Sequence, residues 1–560
     1  MKTTTSSQGQ MTSSLRLICA AVMAASALAA CGGGGGGGGG STTNPPVSTN
    51  PPVTNPPVTN PPVTNPPVTN PPVTNPPVTN PPVASNPTGP ANPTAPDPDI
   101  ATLGDAFDTY WNYCATPRQG TDPYTGKAYP DKQGTLRDEL TFLRAWSDQY
   151  YLWYNEIPTD FKMADFTNPV DYFTKLRSAR DKDAYHFTYP SAEWDKLSNS
   201  GIELGYGFAL AIDQAQAPRN WMLTIVEANS PASRAGLRRG DQVIRVDGVD
   251  LVNATDTAQV ATLNAGLFPS AVGEQHTMTV KRAGVEMTVT LTAQDVQALS
   301  VKNTKVIETA TGKVGYLSFE NHNAVAERQL INSFNTLKAQ GVNDLVLDMR
   351  YNGGGLLNIA SELAYMVAGP TSQGQVFERL VYNNKIEAKQ SSEVIRFEPT
   401  AYGFAAGADT VAKGTALPFL GLRRVTILTS PGTCSASEAV INGLRGIDVE
   451  VNVIGGQTCG KPYGFTPVPN CGTTYFSVEF QGVNAKGFGD YANGIAPTCA
   501  VADDLTRELG DQNEAMLATA LSYRANGVCP AQARSSAQAM KARYPIQSAP
   551  SQIAVYHKAR

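Results

Sequence analysis

The chain has 560 residues, 41% of them hydrophobic and 16% charged, and carries a formal net charge of −5. That length and apolar content are enough for about three domains with cores of their own and exclude a wholly disordered chain. The slightly acidic balance, with no basic stripe, excludes the electrostatic footprint of a nucleic-acid binder.

Arg16 precedes an apolar run from Leu17 to Leu28, which ends in Leu28-Ala29-Ala30-Cys31. A short positive region, a brief apolar core and small residues before a cut describe a secretory signal over residues 1–30, too short to span a bilayer as a mature helix. The cysteine directly after the small residues resembles the bacterial lipoprotein signal, which implies acylation of Cys31 and membrane attachment through that lipid. Gly32 follows, with no aspartate to suggest inner-membrane retention, so the expected location is the bacterial cell envelope, at the outer membrane, facing periplasm or surface. Residues 31–98 hold the glycine run Gly32 to Gly40 and Thr-Asn-Pro-Pro-Val repeats from Thr43 to Val83. Glycine supplies flexibility and paired prolines enforce polyproline II; at about 3.1 Å per residue, Thr43 to Pro98 reaches roughly 170 Å, and we read it as a tether.

Three segments follow. Residues 99–199 read as a helical cap or docking segment, with an apolar-periodic run opening at Thr135 and passing through Trp146, Tyr150, Tyr151 and Trp153. Residues 200–298 read as strand-rich, closing with a hairpin of Thr277 to Lys281 and Met287 to Leu291 around Ala283-Gly284. Residues 299–530 alternate strand and helix: a strand from Val314 to Phe319, a helix from Ala326 to Gln340, and a strand from Asp344 to Asp348. A second such unit runs from Val425–Leu428, through a helix beginning near Ala436, to Val449–Ile454. Residues 531–560 form a C-terminal tail.

Beyond the signal and Cys31, six cysteines remain, and export favours their pairing. Cys459–Cys471 and Cys499–Cys529 are the expected pairs. Neither the cysteine spacing nor the four histidines form a zinc-ligand cluster, so no metal is expected.

Chemistry is expected at the carboxyl ends of the parallel strands. Asp348-Met349-Arg350-Tyr351-Asn352-Gly353-Gly354-Gly355 ends a strand and frees backbone N–H groups for a negative oxygen, without the lysine and Ser/Thr of a phosphate loop. Ser430-Pro431-Gly432-Thr433-Cys434-Ser435-Ala436-Ser437-Glu438 lies between strand and helix. A serine there alone reads as a helix cap. Gly460-Lys461-Pro462 follows the next strand, with Lys461 26 residues beyond Ser435, and a buried lysine can serve as base to a serine hydroxyl.

In the 200–298 segment, Gly205-Tyr206-Gly207-Phe208, Pro231-Ala232-Ser233-Arg234-Ala235-Gly236-Leu237 and Gly240-Asp241-Gln242-Val243-Ile244 together resemble a PDZ domain. That resemblance implies capture of a carboxyl-terminal tail on Gly205, Tyr206, Gly207 and Phe208. The 299–530 segment resembles the catalytic domain of the carboxy-terminal processing (tail-specific) serine proteases. Thr433-Cys434-Ser435-Ala436-Ser437-Glu438 stands where that family has Ser-Ala-Ser-Ala-Ser-Glu, and Gly460-Lys461 where it has Gly-Lys. Met349-Arg350-Tyr351-Asn352-Gly353-Gly354-Gly355 matches its glycine loop.

The resemblance implies a multidomain α+β protein: a helical N-terminal segment, a β-rich PDZ domain and an α/β peptidase core of the crotonase/Clp-like ββα type. It also implies Ser435 as nucleophile, Lys461 as general base, an oxyanion hole from the N–H groups of Gly354 and Ala436, protein or peptide substrates, and no cofactor. The chain departs from the pattern in three places. Cys434 replaces an alanine and reads as a structural or disulfide cysteine, Gly353 replaces a proline, and Phe465 replaces a glutamine that helps orient the lysine. Two rival readings stay open: a PDZ-bearing periplasmic or surface binding protein without catalysis, which Phe465 favours, and a serine–histidine peptidase using His322. A histidine in such a turn ordinarily reads as solvated.

Overall fold

The computed structural model describes Leu103 and residues 107–531 apart from 124, 180–182, 184, 215, 389–392 and 405–409. The signal, Cys31, the repeats and the tail after residue 531 therefore lie outside the described residues. Among the described residues no helix is long and apolar enough to cross a membrane.

Helix α1, Leu136–Tyr150, starts where the sequence signals it. Thr135 accepts from the Asp138 N–H while the Asp138 carboxylate accepts from the Thr135 N–H at 2.8 Å, a reciprocal cap. Tyr151 and Trp153 fall beyond it. The segment docks on the third one. Strand β1, Phe187–Pro190, pairs antiparallel with Thr473–Phe476 of the third segment. Phe142, Trp146 and Phe173 share one core with Tyr463, Tyr475 and Val478. A disulfide from Cys114 to Cys471 fastens the same contact. This overturns the expected Cys459–Cys471 pair: Cys471 faces the N-terminal segment, and Cys459 bonds Cys434 instead. Cys499–Cys529 forms as expected, and Cys434 is the disulfide cysteine its position suggested.

The second segment carries strands β2 (Phe208–Ala211), β3 (Trp221–Val226) and β4 (Gln242–Val246), helix α2 (Thr257–Leu267), and strands β5 (Gln275–Arg282) and β6 (Val285–Thr292). The sheet order is β6-β5-β4-β3-β2, which leaves β2 at an edge. The expected hairpin is β5–β6, with Ala283 and Gly284 at its turn, both at positive φ.

The third segment is built on a six-stranded sheet of β7 (Val301–Thr309), β8 (Gly312–Phe319), β9 (Asp344–Asp348), β10 (Arg424–Thr429), β11 (Glu450–Gly455) and β12 (Cys499–Ala500), in that order across the sheet. β7 is antiparallel to β8 and the rest run parallel. Both faces are covered, so the strands are apolar on both sides, as a parallel sheet requires. Leu345 and Leu347 face the core shared with α3 (Ala326–Ala339), α4 (Leu357–Ala368) and α5 (Ala436–Gly446). Val346 faces Met516, Leu517 and Ala520 of α6 (Ala515–Asn526). The order sets the carboxyl ends of β9, β10 and β11 side by side, and with them the loops expected to carry chemistry.

Candidate active site

Ser435 stands at the turn between β10 and α5 with φ +56° and ψ −117°. A side chain in that region costs on the order of 1–3 kcal/mol, a strain that persists only where the surroundings impose it and that recurs at strand–turn–helix nucleophiles. Ser435 is half-buried, whereas Lys461 is 7% exposed.

The two are brought together by a residue to which the sequence reading gave no role. Glu438, fully buried one turn into α5, accepts the Ser435 N–H at 3.0 Å and the Lys461 N–H at 2.8 Å on one carboxylate oxygen. Its other oxygen accepts the Gly460 N–H at 2.9 Å and the Thr458 hydroxyl at 2.5 Å. Burial pushes the Glu438 pKa up, and these hydrogen bonds pull it back. Its spacing three residues after a helix-initial serine is a capping-box signal, the one trace of it in the sequence. The Cys434–Cys459 disulfide joins the same two loops.

The Lys461 side chain ends between aromatic faces: Nζ lies 4.0 Å from the Phe465 ring centroid and 4.8 Å from that of Tyr185. Phe465 is braced edge-on by Phe187 and Phe476. Tyr185 and Phe187 belong to the N-terminal segment, which therefore forms part of the lysine's wall. Asp183 is electrostatically coupled to Lys461 and accepts the Tyr151 hydroxyl at 2.6 Å. Where a glutamine would offer a hydrogen-bond acceptor, Phe465 offers a π-face, an attraction worth about 0.5–2 kcal/mol.

On the other side, the glycine loop packs directly on the serine. A Cβ added to Gly354, whose φ is +102°, would lie 2.8 Å from Ser435 Cβ and 3.0 Å from the Ala436 nitrogen, so only glycine fits. The N–H of Ala436 has no hydrogen-bond partner among the described residues. The Gly354 N–H, expected in the oxyanion hole, donates to Asn352 Oδ1 at 2.9 Å and is engaged in this conformation. Asn352 also accepts the Cys434 N–H and the Ser437 hydroxyl on its carbonyl, tying the glycine loop to the serine loop.

His322 is not solvated. It is fully buried beneath the glycine loop, packed on Phe319, with Nδ1 3.0 Å from Asn352 Oδ1. Because the Asn352 amide nitrogen donates to Phe319 O, its oxygen faces the imidazole and Nδ1 carries the proton. Burial lowers the His322 pKa to about 4. The ring props the loop from behind.

Arg350, 1% exposed, anchors the loop's base by pairing with Asp348 at 2.8 Å, Asp503 at 2.7 Å and Glu514 at 2.9 Å. Asp503 also pairs with Arg239 of the second segment at 2.6 Å, and Arg239 reaches the Tyr351 hydroxyl. Burial alone would raise the Asp503 pKa, but the Arg350 and Arg239 guanidiniums hold it below its ordinary value.

In the second segment, Gly205 closes a short strand, Tyr206 is buried with its hydroxyl on Gly266 O, and Phe208 opens β2. The carbonyls of Tyr206 and Gly207 accept from Ala232 and Glu227, while their own N–H groups have no partner among the described residues. A Cβ on Gly207 would overlap Ser230.

Residues 313–501 match peptidase family S41, residues 224–282 a PDZ domain, and residues 141–189 the peptidase S41 N-terminal domain. A carboxyl-terminal-processing protease of Picosynechococcus sp. is 31% identical over 176 residues, 30% of this chain and 39% of that protein. One of Synechocystis sp. is 26% identical over 271 residues, 48% of this chain and 55% of that protein. The chain thus spans about half or less of the length of these relatives. A crystal structure described as an S41 protease from Bacteroides fragilis shares the fold, with a TM-score of 0.53 at 24% identity over 71% of this chain and 98% of that one. S41 N-terminal, PDZ and S41 peptidase matches thus follow in that order along one polypeptide, so this chain carries the domains of peptidase family S41.

Proposed function

We propose that the protein is a lipid-anchored serine endopeptidase of the cell envelope, acting on protein or peptide substrates whose carboxyl-terminal tails its PDZ domain binds. The observation that carries the reading is the single Glu438 oxygen that accepts both the Ser435 and the Lys461 N–H groups. Neutral Lys461 takes the Ser435 hydroxyl proton as Ser435 Oγ attacks the peptide carbonyl. The Ala436 N–H stabilises the oxyanion, joined by Gly354 when its N–H exchanges Asn352 Oδ1 for that oxygen. The amine leaves with the proton from Lys461, and water, deprotonated by the same lysine, hydrolyses the acyl-enzyme.

An edge strand with open N–H groups at its entry supports the tail-binding part: an extended peptide adds beside β2 while its carboxylate meets the Tyr206 and Gly207 amides. Gly207→Glu is a poor probe, because any side chain there overlaps Ser230. Peptides with a free carboxyl terminus should instead bind about tenfold tighter than their amides, the worth of a charge-assisted hydrogen bond; equal affinity removes tail capture. For the anchor, Cys31→Ser should move the protein from the membrane to the soluble fraction.

The deciding experiment is cleavage of an unstructured protein by the full chain, by its Ser435→Ala and Lys461→Ala variants, and by His322→Ala. Turnover lost in the first two and retained in the third is expected. Loss only with Ser435→Ala and His322→Ala would transfer the base to His322. A second reading, a PDZ-bearing docking protein, is favoured by the engaged Gly354 N–H and by the absence of an acceptor on Phe465. No Ser435-dependent turnover in the parent would establish it.

A further inference from the structure

Cys434 immediately precedes Ser435, Cys459 lies two residues before Lys461, and their sulfurs are bonded. The bond sits against Glu438: Cys459 Sγ is 3.4 Å from the carboxylate oxygen that accepts the Ser435 and Lys461 amides. Cys434 is 1% exposed, so two separate thiols, which need more room than a bonded pair, could be accommodated only by moving one loop. Cys459 is part-exposed, so a reductant can reach the pair.

The lysine is carried by the main chain of 459–461, and Phe465, Tyr185 and Asp183 act on its side chain beyond that point. Where that main chain sits relative to the serine loop therefore sets where the side chain starts. Three links set that main chain against the serine loop: the Glu438 carboxylate, the Cys459 N–H on Thr433 O, and the disulfide.

We propose that the Cys434–Cys459 disulfide is a positioning element of the site, holding base and nucleophile in register, and that its reduction lowers turnover reversibly. The inference rests on the reading of Ser435 and Lys461 as nucleophile and base. Reduction by a dithiol proceeds by thiolate attack on one sulfur, a mixed disulfide, and ring closure of the reagent. Two electrons and two protons pass to Cys434 and Cys459, leaving two thiols and a cyclic disulfide.

The test uses the full chain. Ser435-dependent turnover is first established by comparison with Ser435→Ala; without it the proposed function and this inference both fall. Cys434→Ala/Cys459→Ala is then compared with Cys499→Ala/Cys529→Ala, whose disulfide touches neither loop. The first should lose on the order of tenfold to a hundredfold in kcat, the effect of misplacing reacting groups by about an ångström. Its KM should stay within about twofold, because the loss falls on the chemical step. The second should keep its kcat.

Dithiothreitol applied to the folded parent should reproduce the loss as Cys434 and Cys459 appear as thiols in peptide mapping, and reoxidation should restore it. The double alanine variant should not respond. Unchanged kcat in that variant overturns the inference. If the variant does not fold, the parent decides: full turnover once both thiols are mapped overturns it equally.

Discussion

The two flanks of Ser435 are held by different physics. On the glycine-loop side the fixings are formal charges: Arg350 among Asp348, Asp503 and Glu514, with Arg239 reaching in from the PDZ domain to share Asp503. On the lysine side they are a disulfide, one buried carboxylate taking amide hydrogens, and aromatic faces from the third and N-terminal segments. A charge network carries the position of a neighbouring domain into the loop it supports, since moving Arg239 leaves Asp503 with half its pairing. The disulfide instead joins the lysine loop to the serine loop directly, and the ring faces of Phe465 and Tyr185 close around the lysine.

The largest break in that comparison is Arg350→Met. It strands the buried Asp348 and Glu514 carboxylates, and the expected loss is about 3–5 kcal/mol of stability, read from the denaturant midpoint. A variant as stable as the parent would mean that the charges do not hold this flank. Glu438→Gln comes next. It keeps the shape but turns one acceptor oxygen into an NH₂ that faces amide donors, at a cost of about 1–3 kcal/mol. Turnover should fall with it; a fully active variant would strip Glu438 of its positioning role.

Glu378 sharpens the contrast as a buried carboxyl with no cation beside it among the described residues. Burial raises its pKa from 4.5 to about 8. A group raised on folding favours the folded state below its unfolded pKa and loses that advantage as pH rises through the folded one. Stability should therefore fall between pH 4.5 and about 8, by at most about 1.4 kcal/mol per unit from this group, and level off above. Glu378→Gln should remove that slope in urea titrations run at several pH values, and an unchanged slope would assign the titration elsewhere. Asp503, lowered on folding, runs the other way: its contribution is present above its unfolded pKa of 3.8 and is lost as pH falls. The smallest effect belongs to Phe465→Leu, which removes a ring face worth about 0.5–2 kcal/mol from Lys461. It should lower kcat by up to about tenfold with KM little changed, and a variant with full kcat would mean the aromatic frame does not place Lys461.

Much of the fold was legible because its signals are local. The run Asp344 to Asp348 is apolar at its centre and buried throughout, as a central parallel strand demands, and the strand appears with those bounds. Thr135 with Asp138 marks the start of α1. Ser435 and Lys461 were legible as types at the ends of successive strands, and the sheet makes those strands neighbours. His322 misled because its local setting is a turn, while its burial comes from the glycine loop laid over it. The cysteines misled for the same reason: Cys114 and Cys471 are 357 residues apart, and no spacing rule reaches that far.

The sequence by itself determined the order of the segments, the sheet-forming runs, and the residue types proposed to carry the chemistry, since periodicity and turn chemistry act over a few neighbours. Only the tertiary structure decided which groups meet: that Glu438 gathers both loops onto one carboxylate, that Tyr185 walls the lysine, and that Arg239 shares Asp503 with Arg350. Those contacts join residues from 3 to 276 positions apart. They form because burying a charge or an amide is costly unless a partner arrives with it, and the partner is supplied by whichever segment the fold brings there.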